Sequence, residues 1–320
     1  MIADLLRLVR APLVATAIAD GVAGYLLATV RVATEVGGHA PALLHDAPDP
    51  RPLAFVLVAS TGLYWGGMAL NDYFDLERDR RLYPFRPLPS GKVAPGLALG
   101  VGLALLATGV GAAWLGGGLL AGGFALLVAL SVLAYDGLLK RFRLPGALGM
   151  GLCRTGNIFM AAATARAHAP LGVEGLAPFY ALQAVGIGIY IFSVTLLSTF
   201  EEEDAPAAGI ALGFAGVLAV PVVLALSYPS TSGIPFFSVH AALAVALAVA
   251  AFRKGTKATG HTTTRWLLRG LLLLDAGSIA AAGYPIVGAA ALVALIVPNL
   301  FFARLLFSRG RPSGKPSTAR

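Results

Sequence analysis

The sequence predicts an all-α membrane protein, a polytopic bundle of nine or ten transmembrane helices. Three properties of the chain point there. Of its 320 residues, 57% are hydrophobic and only 12% are charged, about half the charge of an ordinary soluble domain. Its mean hydropathy is +0.78, more apolar surface than a water-soluble globule of this length could hide. Apolar runs of roughly 20 residues, the length that a ~30 Å hydrocarbon layer requires, recur along the whole chain. Together these exclude a soluble enzyme, a disordered chain and a nucleic-acid reader with a wet basic face.

The first apolar run, Ala11 to Val30, is too long for a signal-peptide core and contains Asp20, so it reads as a first span near 12–32 rather than a leader. Further spans fall near 52–70, 97–115, 117–135, 146–164, 177–197, 207–227, 236–252, 266–283 and 285–306. Gly283 and Pro285 make the last two a tight hairpin, on which the choice between nine and ten depends. Gly21, Gly24, Gly66 and Gly67 let helices approach closely in lipid, so a compact bundle is expected. Residues 1–307 form one membrane domain, and 308–320 is a Ser/Pro/Gly/Arg-rich tail expected to be disordered. The 36–51 segment, with His39, His45, Asp46 and Asp49, is an extracytoplasmic loop without metal-ligand spacing. The single cysteine, Cys153, excludes a disulfide framework and a Cys-based metal site.

The chain carries 24 Lys and Arg against 16 Asp and Glu, a net charge of +8. With the N-terminus in the cytoplasm, 20 of those basic residues fall on the cytoplasmic side; Arg31, Arg51 and Arg166 fall on the other, and Arg154 lies within the fifth span. That bias sets the orientation. An even number of spans returns the basic tail to the same side, which favours ten. The expected location is the plasma membrane, read as a bacterial inner membrane.

After the second span comes Asn71-Asp72-Tyr73-Phe74-Asp75-Leu76-Glu77-Arg78-Asp79. With Asn71 set to 0°, helical pitch puts Asp75 at about 40°, Asp79 at about 80° and Asp72 at about 100°, with Glu77 away at about 240°. Like charges stacked on one face beside lipid are costly without a cation among them. Hard oxygen donors with room for water and phosphate suit Mg²⁺. The alternative is a solvated helix end whose acids pair with Arg78, Arg80 and Arg81; the angular clustering where an apolar span meets water favours the metal–phosphate reading. Prolines 84, 87 and 89 stiffen the loop that follows and forbid helix through it. Arg86 on that loop suits a bidentate grip on phosphate oxygens.

Asn71-Asp72-x-x-Asp75-x-x-x-Asp79 followed by Arg86-Pro87-Leu88-Pro89-Ser90-Gly91 resembles the signature of the UbiA superfamily of intramembrane prenyltransferases. The wider match takes in the spans and Leu6-Arg7-x-x-Arg10-Ala11-Pro12 at the start. Gly66-Gly67-Met68-Ala69-Leu70 and Thr16-Ala17-Ile18-Ala19-Asp20 look most similar to the EboC-like subgroup. The resemblance implies a UbiA-like bundle around a central cavity, Asp72, Asp75 and Asp79 as catalytic acids that hold Mg²⁺ with Asn71, and Arg10, Arg86 and Ser90 at the substrate. Tyr135-Asp136 and Lys140-Arg141 resemble the family's Tyr-x-x-x-Lys-Arg element with one residue more, implying that Lys140 or Arg141 binds diphosphate.

Between spans six and seven lies Ser198-Thr199-Phe200-Glu201-Glu202-Glu203-Asp204, where the family places a second acidic motif for a second Mg²⁺. Four spans separate it from Asp72, so both acid clusters face one side of the membrane. The offset of roughly 130 residues suggests two similar four-helix halves. Glutamates replace the usual spaced aspartates. On a helix Glu201 and Asp204 form the best pair, at about 60°, with Glu202 and Ser198 close behind. Asp20, Arg154, Asn157, Gln183, Tyr190, Ser193 and Asp275 lie inside spans and should face the bundle interior. Arg154 and Asn157 either line a substrate chamber or, for Arg154, tie helices together through an acid.

The chemistry implied is cleavage of a prenyl diphosphate to an allylic carbocation. Mg²⁺, Arg86 and Lys140 neutralise the departing diphosphate, and an apolar chamber shields the cation until an aromatic or other lipophilic acceptor attacks. The expected partners are a prenyl diphosphate, a lipophilic acceptor and the bilayer, with no nucleic acid. Two rivals are a non-catalytic isoprenoid or pigment-precursor binder and a secondary transporter; a transporter would carry its acids near the midplane, whereas these map to span ends.

Overall fold

Helix α1, Ile2–Leu8, leads into a turn at Arg10 and a 3₁₀ segment, Ala11–Val14, before α2, Ala15–Leu27. The computed structural model describes residues 2–33, 42–45, 50–168, 179–201, 204–228 and 230–307; the 308–320 tail and most of the 36–51 loop lie outside them. After α2 the chain forms a two-stranded antiparallel ribbon, β1 Val30–Ala33 with β2 Ala42–His45, in the register Val30 opposite His45. The predicted first span therefore ends as helix at Leu27, five residues early, because the β-branched run Val30-Arg31-Val32 pairs as strand instead.

The remaining helices are α3 Pro50–Phe74, α4 Leu76–Leu82, α5 Pro95–Gly137, α6 Arg143–Ala167, α7 Phe179–Ser198, α8 Ala207–Ser227, α9 Ile234–Lys254, α10 Thr256–Ala281 and α11 Pro285–Phe307. Helix α5 contains both the third and fourth predicted spans. Its helical backbone breaks at Gly117 (φ −144°, ψ 15°) and Gly118 (φ 68°, ψ −159°), the second a conformation open to glycine alone. Gly283, at φ 100°, turns α10 into α11, where the sequence predicts the last hairpin. Six described helical segments are long and apolar enough to cross a membrane: α3, α5, α7, α8, α9 with its lead-in from Thr231, and α11. The spans predicted over α6 and α10 are helical too, and both carry buried polar residues, Arg154 and Asn157 in one, Asp275 and Ser278 in the other.

Small residues set how closely the helices pack. A Cβ on Gly62 of α3 would lie 2.7 Å from the Leu105 carbonyl of α5, and one on Gly24 of α2 would lie 2.6 Å from the Ile158 carbonyl of α6. Backbones in such contact gain dispersion that lipid cannot match. Tyr25, Ile158, Ile187, Tyr190, Leu267 and Leu271 fill the main core, and Ala59, Leu63, Leu106, Val128 and Met160 a second one among α3, α5 and α6. Outside, Leu115, Leu119, Leu226 and Ile286 are 79–83% exposed. Large apolar side chains outward and polar ones inward is the reverse of a water-soluble protein. The chain is an integral membrane protein.

Candidate active site

Asn71 and Asp72 occupy the last turn of α3, Asp75 sits at the junction (φ −90°, ψ 3°), and Asp79 lies in α4. The helix axis breaks there, but the backbone ladder does not. The Asp75 N–H donates to Asn71 O at 3.0 Å and the Asp79 N–H to Asp75 O at 2.8 Å. One-turn spacing therefore survives the junction. Glu77 points away, exposed and paired with Arg80 at 2.5 Å.

Each of the four motif side chains has a polar partner from elsewhere in the chain. Arg10 Nη2 donates to Asp72 Oδ1 at 3.1 Å, Lys140 Nζ lies 2.8 Å from Asp75 Oδ1, and Arg86 Nη1 donates to Asp79 Oδ2 at 2.6 Å. Asn71 Nδ2 donates to Asp136 Oδ1 at 2.8 Å. Asp72 and Asp79 are buried. Arg10 is held in the left-handed region (φ 48°, ψ 48°), a strain of order 1–3 kcal/mol for a residue with a side chain, and it reaches Asp72 from that position. Burial works against the Arg10 charge, but Asp72 and Tyr64 hold its pKa above the usual arginine value.

The proline loop is free of helix, and Arg86 stacks over the Tyr83 ring at 4.2 Å. Ser90 is exposed, its Oγ donating to Pro87 O at 3.3 Å. Of the two basic residues after α5, Lys140 reaches the acids and Arg141 is exposed. Asp136 was not among the sequence-derived site residues. It is 4% exposed and accepts from both Asn71 and, at 3.4 Å, Lys140. Its signals in the sequence are its place beside Tyr135 in the element that resembles the family's and its spacing of four residues before Lys140.

A cavity of about 300 Å³ runs among α2, α3, α5, α6, α7 and α10; of the four motif side chains Asn71 lines it, and Asp72, Asp75 and Asp79 do not. Arg10, Asn71, Tyr135 and Asp136 lie on its wall, followed by apolar side chains such as Leu63, Met68, Val132, Ile191 and Leu268. Arg154 and Asn157 line it as well. Arg154 also ties α6 to α2, its Nη1 donating to Asp20 Oδ2 at 2.6 Å. Asn157 accepts from Ser60 at 2.8 Å and donates to the Ala17 carbonyl at 3.0 Å.

The second acidic group is arranged differently from a helix face. Helix α7 ends at Ser198, so helical angles do not apply to the acids beyond it. Glu201 Oε2 lies 2.6 Å from His261 Nδ1 of α10. Asp204 Oδ1 accepts the Lys257 N–H at 3.1 Å, an N-terminal cap on α10. Glu202 lies outside the described residues. Thr195 and Ser198, in the last turn of α7, line the cavity.

Among the described residues no three His, Cys, Asp or Glu side chains form a cage for a metal ion. The donor set fits Mg²⁺ in another way. That ion takes one or two carboxylates and fills its remaining positions with water and substrate phosphate, and the motif offers hard oxygens beside cationic arms.

The sequence profile of the UbiA prenyltransferase family matches residues 37–318. Among curated relatives, a digeranylgeranylglyceryl phosphate synthase of Hyperthermus butylicus is 31% identical over 169 residues, 52% of this chain and 53% of its own. One from Ignicoccus hospitalis is 45% identical over 85 residues, 27% of this chain and 28% of its own. The chain thus spans about half or less of the length of these relatives. Among solved structures, a UbiA homologue from Archaeoglobus fulgidus bound to GPP and Mg²⁺ superposes with a TM-score of 0.61 at 13% identity, covering 90% of this chain and 99% of that one. A digeranylgeranylglyceryl phosphate synthase structure gives 0.61 at 17% identity, over 88% and 99%. These structural likenesses establish a shared fold, and the profile extends over nearly all of the bundle: the chain belongs to the UbiA prenyltransferase family.

Proposed function

We propose that the protein transfers a prenyl group from an isoprenyl diphosphate to a lipophilic acceptor within the membrane, in a Mg²⁺-dependent reaction. The observation that carries this reading is a row of oxygen-bearing side chains, the acids each matched to a cation, of which Asn71 and the cation Arg10 open onto a largely apolar cavity. A prenyl diphosphate has the complementary shape, with a charged head for the row and a hydrocarbon tail for the cavity.

In this reading Asn71, Asp72, Asp75 and Asp79 hold Mg²⁺, with Asp72, Asp75 and Asp79 essential to catalysis. When bound, Mg²⁺ neutralises charge on diphosphate oxygens. Arg10, Arg86 and Lys140 leave their carboxylates for phosphate oxygens, each a charge-assisted contact; Ser90 and Arg141 border that head group. The apolar walls exclude water from the reacting carbon, and Arg154 and Asn157 present polar atoms to the acceptor. Glu201, Glu202 and Asp204 form the second acidic group, supported by the opening of the preceding turn of α7 onto the cavity. The relatives are archaeal synthases of a glyceryl phosphate lipid, which makes a lipid phosphate of that kind the first acceptor to try, ahead of an aromatic ring. The Lys/Arg bias supports a plasma-membrane setting with the N-terminus and the acid-bearing end facing the cytoplasm.

The test is release of pyrophosphate from labelled GPP or DMAPP by the purified full chain with Mg²⁺ and candidate acceptors. Asp72→Ala and Asp75→Ala should abolish it while folded protein remains in the membrane. Full turnover by both variants would reject the assignment.

A further inference from the structure

We infer that Asp20 and Asp275 share a single proton, forming a proton-binding site inside the bundle beside the cavity wall. Four helices meet there. Arg154 of α6 donates to Asp20 Oδ2 of α2 at 2.6 Å and to Thr16 Oγ1 at 2.9 Å. From α7, Gln183 Nε2 donates to Asp275 Oδ1 of α10 at 2.8 Å, and Gln183 in turn accepts from Ser278 at 2.7 Å. The two carboxyl groups lie within hydrogen-bonding reach of each other. Both are almost wholly shielded, at 0% and 1% exposure.

What remains is one oxygen on each, Asp20 Oδ1 and Asp275 Oδ2, with no donor among the described residues. Two ionised carboxyl groups this near each other repel, and the low dielectric of the interior magnifies the repulsion. A proton between them supplies the missing donor. It also closes the charge count: two carboxylates, one guanidinium and one proton sum to zero, which a bilayer interior demands. Two phenols stand nearby, Tyr64 of α3, whose ring centroid lies 5.6 Å from the Arg154 guanidinium carbon, and Tyr228 at the end of α8. Helix α11 brings only apolar side chains, Ala291, Leu292 and Leu295, around a void of about 10 Å³. A water needs at least that much space and two or more polar partners, and Asp275 is the one polar residue lining the void. A proton held between two carboxyl groups belongs to both. Its presence keeps Asp20 available to Arg154 and so holds that guanidinium on the cavity wall.

The test needs no turnover and stands apart from the proposed reaction. Infrared spectra of the full chain in lipid nanodiscs at neutral pH, in H₂O and D₂O, should show the C=O band of one buried protonated aspartate. Labelling with ¹³C-aspartate assigns it. Asp275→Asn and Asp20→Asn should each remove that band, because one carboxylate then suffices for Arg154. Asp275→Asn should also unfold at the wild-type temperature, since the amide can donate to Asp20 and accept from Gln183 as the acid does. A wild-type spectrum without the band, or a band that persists in Asp275→Asn, overturns the proposal. So does thermal stability that depends on Na⁺ over choline, which would place a metal cation between the carboxyls.

Discussion

Replacing Lys140 with methionine should move the binding of the two ligands in opposite directions. Lys140 Nζ lies 2.8 Å from Asp75 and 3.4 Å from Asp136, with the lysine and Asp75 side chains 18% and 20% exposed. At an effective dielectric of about 20, the nearer pair alone is worth about 6 kcal/mol of Coulomb attraction. Solvent screening and desolvation return most of it. Exposed pairs net about 0.2–1 kcal/mol, and breaking a buried one costs about 3–5 kcal/mol. This pair lies between those limits, so about 1–2 kcal/mol of competition with a metal cation disappears in Lys140→Met. Mg²⁺ alone should then bind about 5–30-fold more tightly. A prenyl diphosphate loses a charge-assisted contact worth about 1.5–3 kcal/mol and should bind about 10–150-fold more weakly. Methionine keeps the length of the stem, so packing changes little. Titration calorimetry with Mg²⁺, and separately with GPP in excess Mg²⁺, reads both constants. Weaker Mg²⁺ binding, or unchanged GPP binding, would show that Lys140 does not alternate between carboxylate and phosphate.

Other expectations follow from packing and polar contacts. Gly24→Ala should cost about 1–3 kcal/mol by overpacking, since its Cβ would meet the Ile158 carbonyl at 2.6 Å, whereas Gly100→Ala, with open space at that position, should be neutral or stabilising. Melting of the two variants in detergent compares them directly. Asn299 is 1% exposed, donates to the Pro12 carbonyl at 2.7 Å and accepts from Arg269 at 3.3 Å. Asn299→Leu leaves that carbonyl without a donor and should cost about 1–3 kcal/mol, seen as a lower melting temperature and faster proteolysis before α2. His261→Ala should leave stability within about 1 kcal/mol of wild type, because the His261 side chain is 65% exposed despite its 2.6 Å contact with Glu201. A large loss on melting would mean that this contact pins α10 to the turn after α7.

Features that depend on local periodicity were legible before any tertiary structure. Apolar runs long enough for a bilayer marked the helices, and Gly283 with Pro285 marked the last hairpin turn, because hydropathy and backbone freedom belong to short stretches of chain. The one-turn spacing of Asn71, Asp75 and Asp79 was legible for the same reason: helical pitch is a local quantity, and the hydrogen-bond ladder carries it across the junction at Asp75. Only tertiary structure decided which charges meet. Arg10 finds Asp72 across 62 residues and Arg154 finds Asp20 across 134, pairings set by which glycine faces let helices touch. Asp136 joined the site because α5 packs against α3, and Glu201 and Asp204 left the helical geometry expected of them because α7 stops at Ser198 and Asp204 caps α10 instead. Pitch and hydrophobicity are summed along the chain, whereas a buried ion pair is chosen by close packing between segments that are distant in sequence.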